Sequence, residues 1–171
     1  ANLIGRSPGT GGRWLATGSH LDTVVQAGPL DGTYGVLAAL EVASILHDAG
    51  YHMAHGLLVA AFANEEGARG TSGMTGSYAC VGHMEEAPPD EVDDEGVTVA
   101  DRIRAAGGDP ARLREARWDP TEIDAFVELH IEQGPVLHGS GNSVGVVSAI
   151  TGRQAMDLTI TGVANHAGTT P

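Results

Sequence analysis

The spacing of apolar positions changes along the chain, and each change marks an element. Residues 57–63 (LLVAAFA) are continuously apolar. A short run without polar alternation predicts a strand covered on both faces, over Gly56–Ala63. Upstream, Val36, Leu37, Leu40, Ala43 and Leu46 keep a three- and four-residue rhythm. That rhythm predicts a helix over Gly32–Ala49, with Gly50 as its stop. Arg13–Ser19 predicts a strand entering a turn. Ala125–Ile131 and Ser143–Ile150 read as further strands, and Gln154–Gly162 as a strand with one wet face. Thr75–Val81, Val97–Ala106 and Pro110–Ala116 are shorter helix candidates. Strand, long helix and buried strand make a βαβ unit. The expected class is therefore α/β, with a largely parallel sheet and helices on both faces. Ligands in such sheets sit at the carboxyl ends of the strands.

Length and charge narrow this picture. The chain has 171 residues, 42% of them hydrophobic, which is enough for one core. No apolar run approaches the ~20 residues of a membrane span. The net charge is −13, from 22 acids against nine bases. All the bases are Arg. This balance argues against nucleic acid and against an anionic membrane surface as partners. Seven acids fall in Glu85–Glu95, beside Pro88 and Pro89. That stretch reads as a solvated connector. The single cysteine, Cys80, excludes an internal disulfide framework. With no charged-then-apolar leader at the start, the expected setting is cytoplasmic. An opening at Ala1 and an end in NHAGTTP suit a segment of a longer protein.

Five short motifs carry possible chemistry. GSHLDT places His20 where a strand ends, with Asp22 two residues on. An imidazole binding a metal through one nitrogen needs a partner that fixes the other, although HxD also occurs in ordinary surface turns. LDGTYG places Asp31 before the long helix, as an N-cap or as a carboxylate free to bridge two cations. NEEGARG places Glu65 and Glu66 after the buried strand. Neighbouring carboxylates there repel unless a cation or proton compensates; an exposed acidic turn is the other reading. ELHIEQGP carries His130, Glu132 and Gln133, and NHAGTTP carries His166. Taken singly, these are a core histidine and a loop histidine.

The ordered set HxD, DG, EEG, HIEQG and NHAGTTP resembles the amidase/hydantoinase/carbamoylase family of zinc-dependent amidohydrolases, over essentially the whole chain. The resemblance implies a zinc-peptidase-like three-layer αβα catalytic domain over 1–150. It also implies the first strand of a ferredoxin-like lid or dimerisation domain over 151–171. It implies hydrolysis of linear carbamoyl or ureido C–N bonds, as in N-carbamoyl-L-amino acids or allantoate, by a hydroxide bridging two divalent ions (Zn, or Mn, Co or Ni). His20 and His130 would hold one ion, Asp31 would bridge, and Glu66 would ligate the second. Glu65 would be the general base, and Asp22 would orient His20. Gln133 would line the substrate pocket. His166 would stabilise the tetrahedral intermediate, commonly from the partner subunit of a homodimer. A peptidase or aminoacylase of the wider clan, or a non-catalytic metal-binding segment, is the alternative. The family's last metal histidine, carboxylate-binding arginine and pocket asparagine fall outside these residues, so the isolated segment is expected to be inactive. Gly70 departs from the family pattern, in which an aromatic often stands there.

Overall fold

The computed structural model describes residues 1–152, 154 and 156–170. It divides into two compact units, Ala1–Gln133 and Gly134–Pro171.

The first unit is built on a four-stranded sheet in the order β1-β3-β2-β4. β2 (Trp14–His20) and β3 (Gly56–Phe62) run parallel, and β4 (Ile123–Val127) runs parallel to β2 on its other side. β1 (Leu3–Ser7) closes the edge antiparallel to β3. The largely parallel α/β sheet is the expected one. β1 carries no legible signal in the sequence. It is short, glycine-containing and mostly exposed, and its partner lies some fifty residues away, with Leu3 facing Ala61.

α1 (Thr33–Asp48) joins β2 to β3. Its buried stripe is Val36 and Ala39, continued by the half-buried Ala43 and Leu46, whereas Leu37 and Leu40 are exposed. The rhythm predicts the helix but assigns those two leucines to the wrong face. Side chains alternate along a strand. On β3, Leu57 and Val59 meet Ala39, Ala43 and Leu46. Burying Leu57 and Val59 stabilises the fold by roughly 1.5–3 kcal/mol each. Phe62 points to the opposite face, against Trp118 and Phe126. The Trp118 backbone N–H donates to the Cys80 carbonyl in α2 (Thr75–Val81). Helices therefore cover both faces, and β3 is buried on both, with Ala60 wholly inaccessible. Asn2 ties β1 to this layer: its amide donates to the Gly76 carbonyl and the Cys80 sulfur. Burial pushes the Cys80 thiol up, away from reactivity.

α3 (Val99–Ala105) starts at Thr98, whose hydroxyl accepts from the Asp101 N–H. Pro110–Ala116 is a 3₁₀ helix capped by Asp109. Among the described residues, no helix is long and apolar enough to cross a membrane.

Three strand expectations fail, one in part and two throughout their described residues. β4 ends at Val127, so His130 lies beyond the strand rather than within it. In the second unit, the short α4 (Val136–Ser140) is followed by a stretch without regular structure. Ser143–Ile150 forms no strand, and Val146 and Ile150 are 95% and 90% exposed. The described residues of Gln154–Gly162 form none either; Ala155 lies outside the described residues. The alternation is present in the sequence. A strand, however, also needs a partner for its backbone groups and a layer for its apolar face. Neither is supplied among the described residues of this unit.

Candidate metal centre

The carboxyl ends of the three parallel strands bring the motifs together. His20 is the last residue of β2 and pairs across with Phe62 of β3. It is buried, 4% exposed. Its Nδ1 lies 2.7 Å from the Asp22 carbonyl oxygen. A carbonyl has no proton to give, so Nδ1 donates and the Nε2 lone pair is left free. His130 is arranged alike, with Nδ1 2.9 Å from the Ile131 carbonyl oxygen. Both rings therefore present Nε2, and their centroids are 5.7 Å apart.

Asp31 is buried and is not a helix cap. The N-cap of α1 is Gly32, without a side-chain cap bond. Asp31 Oδ1 instead stands 3.4 Å from His130 Nε2 and accepts from Gln133 Nε2 at 3.0 Å. Gln133 therefore touches a candidate ligand directly. Gly32 has φ +64° and lies against the His20 ring, where a Cβ would fall within 2.6 Å of Cγ. Absence of a side chain there lets the start of α1 reach the strand ends.

The Glu65–Glu66 loop is fixed by its backbone. Met74 N donates to Glu65 O, Thr75 N to Asn64 O and Gly76 N to Ala63 O, at 2.8, 3.1 and 2.9 Å. The Asn64 amide donates to the Thr71 and Thr75 hydroxyls. The Asp22 carboxylate accepts from Glu65 N at 3.2 Å and Glu66 N at 3.1 Å. The carbonyl of Asp22 meets His20, and its carboxylate holds the loop. Sequence reasoning singles out Asp22 but not this division of labour.

The acidic stretch is a solvated connector only in part: Glu85, Glu86, Asp90, Asp94 and Glu95 are exposed, but its second half is tied to the rest of the unit. Asp93 is buried and accepts from Val97 N, Glu95 N and Arg102 Nε. Glu91 accepts from Ser72, Glu95 pairs with Arg69, and Asp94 N donates to Arg69 O. The Asp94 carboxylate fills the space a side chain at Gly70 would need. Gly70 also has φ +84°, which disfavours any side chain, and this left-handed backbone accounts for glycine at the position where the family pattern departs.

Donor atoms of His20, Asp31 and His130 lie within 4.8 Å of one another, as do those of His20, Glu65 and Glu66. Either group can hold a metal ion. Glu65 Oε2 stands 3.7 Å from His20 Nε2. Burial, the hydrogen bond to Asp31 and the charges of Asp31 and Glu65 hold the Glu66 carboxyl above the usual carboxylate range; His20 works the other way. Three converging carboxylates are costly unless a cation or proton offsets them.

His166 belongs to the second unit. Its Nδ1 accepts from Gly168 N at 3.1 Å, its N–H donates to the Asn165 side chain, and its carbonyl accepts from the Thr170 hydroxyl. With Nδ1 accepting, the proton sits on Nε2.

Residues 16–167 match the peptidase family M20/M25/M40. The chain belongs to that family. Within it, this M20 chain is 45% identical to an N-carbamoyl-L-amino acid amidohydrolase of Geobacillus stearothermophilus, over 99% of the chain and 42% of the relative. It is 42% identical to an allantoate amidohydrolase of Escherichia coli, over the same shares. A solved hydantoinase/carbamoylase family amidase from Burkholderia ambifaria superposes with TM-score 0.72 at 38% identity, covering 82% of this chain and 34% of that one. The M20 chain thus spans about 42% of the length of the curated relatives it matches.

Proposed function

We propose that the whole protein hydrolyses a linear carbamoyl or ureido C–N bond, in an N-carbamoyl-L-amino acid or allantoate, at a site holding two divalent metal ions. The observation that carries this is the convergence of His20, Asp31 and His130, two imidazoles with free Nε2 atoms around one buried carboxylate. The named relatives supply the substrate class. The donor set fits a transition-metal ion: neutral imidazoles and carboxylates suit Zn, Mn, Co or Ni. His20, His130 and Asp31 would hold one ion, and Asp31 with Glu66 would hold the second.

Bound ions of this kind polarise a carbonyl and make water more acidic. Glu65, partly exposed and beside His20, then takes the proton of the attacking water and delivers it to the leaving nitrogen. Asp22 keeps Glu65 and Glu66 at fixed height by holding their N–H groups. Gln133 holds Asp31 and faces substrate with its remaining groups. The His166 tautomer, with its proton on Nε2, suits a donor to the oxyanion of the tetrahedral intermediate. The family resemblance supports a homodimer of the whole protein, with His166 reaching the partner's site, and a cytoplasmic setting is part of the same proposal. Residues 1–171 alone, with fewer ligands for the second ion, should bind metal weakly and turn nothing over.

The test is Glu65→Gln in the full-length protein, assayed on an N-carbamoyl amino acid, allantoate and a dipeptide. Wild type should cleave one of the first two. The variant should retain its metal and lose turnover by about 10²–10⁴-fold. Loss of metal instead would make Glu65 a ligand, and preference for the dipeptide would make the protein a peptidase.

A further inference from the structure

The ladder between β2 and β4 stops short of the metal centre. Its last rung joins Thr17 to Val127, three residues before His20 and three before His130. β2 continues to His20 with β3 alongside, but β4 has already ended. Backbone pairing between their own segments therefore does not set the spacing of the two imidazoles.

A side-chain bond spans the gap. Ser19 Oγ donates to Glu128 Oε1. Ser19 immediately precedes His20 and is 1% exposed; Glu128 lies two residues before His130. A hydroxyl bonded to a carboxylate is among the stronger side-chain hydrogen bonds. Neither residue belongs to the groups whose donor atoms converge. We infer that Ser19 and Glu128 are positioning residues, forming a clamp that fixes the separation of His20 and His130 and so presets the site for metal uptake. The inference rests on reading His20, Asp31 and His130 as metal ligands. Residues that orient metal ligands typically change affinity by about 10–100-fold when removed.

The test uses the full-length protein stripped of metal. Zn²⁺ affinity is read by competition with a chromophoric chelator, and site geometry by the visible spectrum of the Co²⁺ form. Circular dichroism checks that each variant is folded. Glu128 is exposed, so Glu128→Ala should fold even if Ser19→Ala does not. Glu128→Ala and Ser19→Ala should each weaken Zn²⁺ binding by about 10–100-fold and alter the Co²⁺ spectrum. Glu128→Gln, which keeps an oxygen acceptor, should restore most of both. The double variant should be no worse than the weaker single one, because the two residues share one bond. Folded variants with wild-type affinity and spectrum overturn the clamp and leave the metal reading standing. A wild type that takes up no metal overturns that reading and the clamp with it.

Discussion

Gly32 offers a direct measure of how closely the fold is built around the candidate metal centre. Its φ of +64° is one that L-residues adopt at a cost, and a Cβ there would lie 2.6 Å from His20 Cγ. Ordinary carbon–carbon contacts are about 3.5–4.0 Å, so Gly32→Ala must push the ring by about 1 Å. The ring is buried and tied to the Asp22 carbonyl, so it has little room to yield. The backbone term is about 1–2 kcal/mol, and overpacking adds about 1–3 kcal/mol. The expected loss is about 3 kcal/mol. Gly28 is the control: its φ is +84° and a methyl group added there would meet nothing within 4 Å, so Gly28→Ala should show the backbone term alone. Urea unfolding of the metal-free full-length protein gives both values. Zn²⁺ competition should show affinity lowered about 10–100-fold in Gly32→Ala and unchanged in Gly28→Ala. Equal destabilisation and equal affinity in the two variants would refute the contact with His20.

Other outcomes follow from named contacts. Asp22→Ala removes the acceptor of two loop N–H groups, so turnover should collapse and stability fall by about 1–3 kcal/mol. The ¹⁵N signals of His20 should still report a proton on Nδ1, because the carbonyl remains; a switched tautomer would show that the carboxylate orients the ring. The Val97 N–H and then Arg102 hold the Asp93 carboxyl below the usual range. Its stabilising effect is therefore complete above about pH 4 and is lost as pH falls through the depressed value. The pH dependence of urea unfolding between about pH 2.5 and 5 should be shallower in Asp93→Asn, and identical slopes would remove Asp93 from the acid transition.

Much of the fold and site is legible in the sequence because the relevant signals are local. The β3 segment is apolar on both faces, so its burial requires little knowledge of the partners; the α1 rhythm predicts the helix but not its buried face, since Leu37 and Leu40 are exposed. His20, Glu65 and Glu66 stand out as motifs after strands, where an α/β sheet places its ligands, whereas Asp31 reads as a residue before the helix and His130 as one within a strand. Less is legible where one residue serves two neighbours. Asp22 reads as an orienter of His20, yet its carboxylate holds the loop of Glu65 and Glu66. Gln133 reads as pocket lining, yet its amide is bonded to Asp31. The acidic stretch reads as solvated, which holds for its exposed acids but not for Glu91 and Asp93, because charge counting cannot see Ser72 and Arg102 arriving from elsewhere.

The sequence alone determined the parallel βαβ frame, since hydrophobic period is a property of short segments; the candidate ligands emerge only from the ordered set of motifs and the family it resembles, since each motif singly has an ordinary reading. Tertiary structure decided the rest. It chose the tautomers of His20 and His130 through backbone carbonyls and set their spacing past the end of the β2–β4 ladder. It also decided that Val144, Val146 and Val147 form no strand despite their apolar character. The reason is common to all three. Hydrogen bonds and strand pairing join residues far apart in the chain, and a local pattern specifies what a segment can do without supplying the partner that makes it do so.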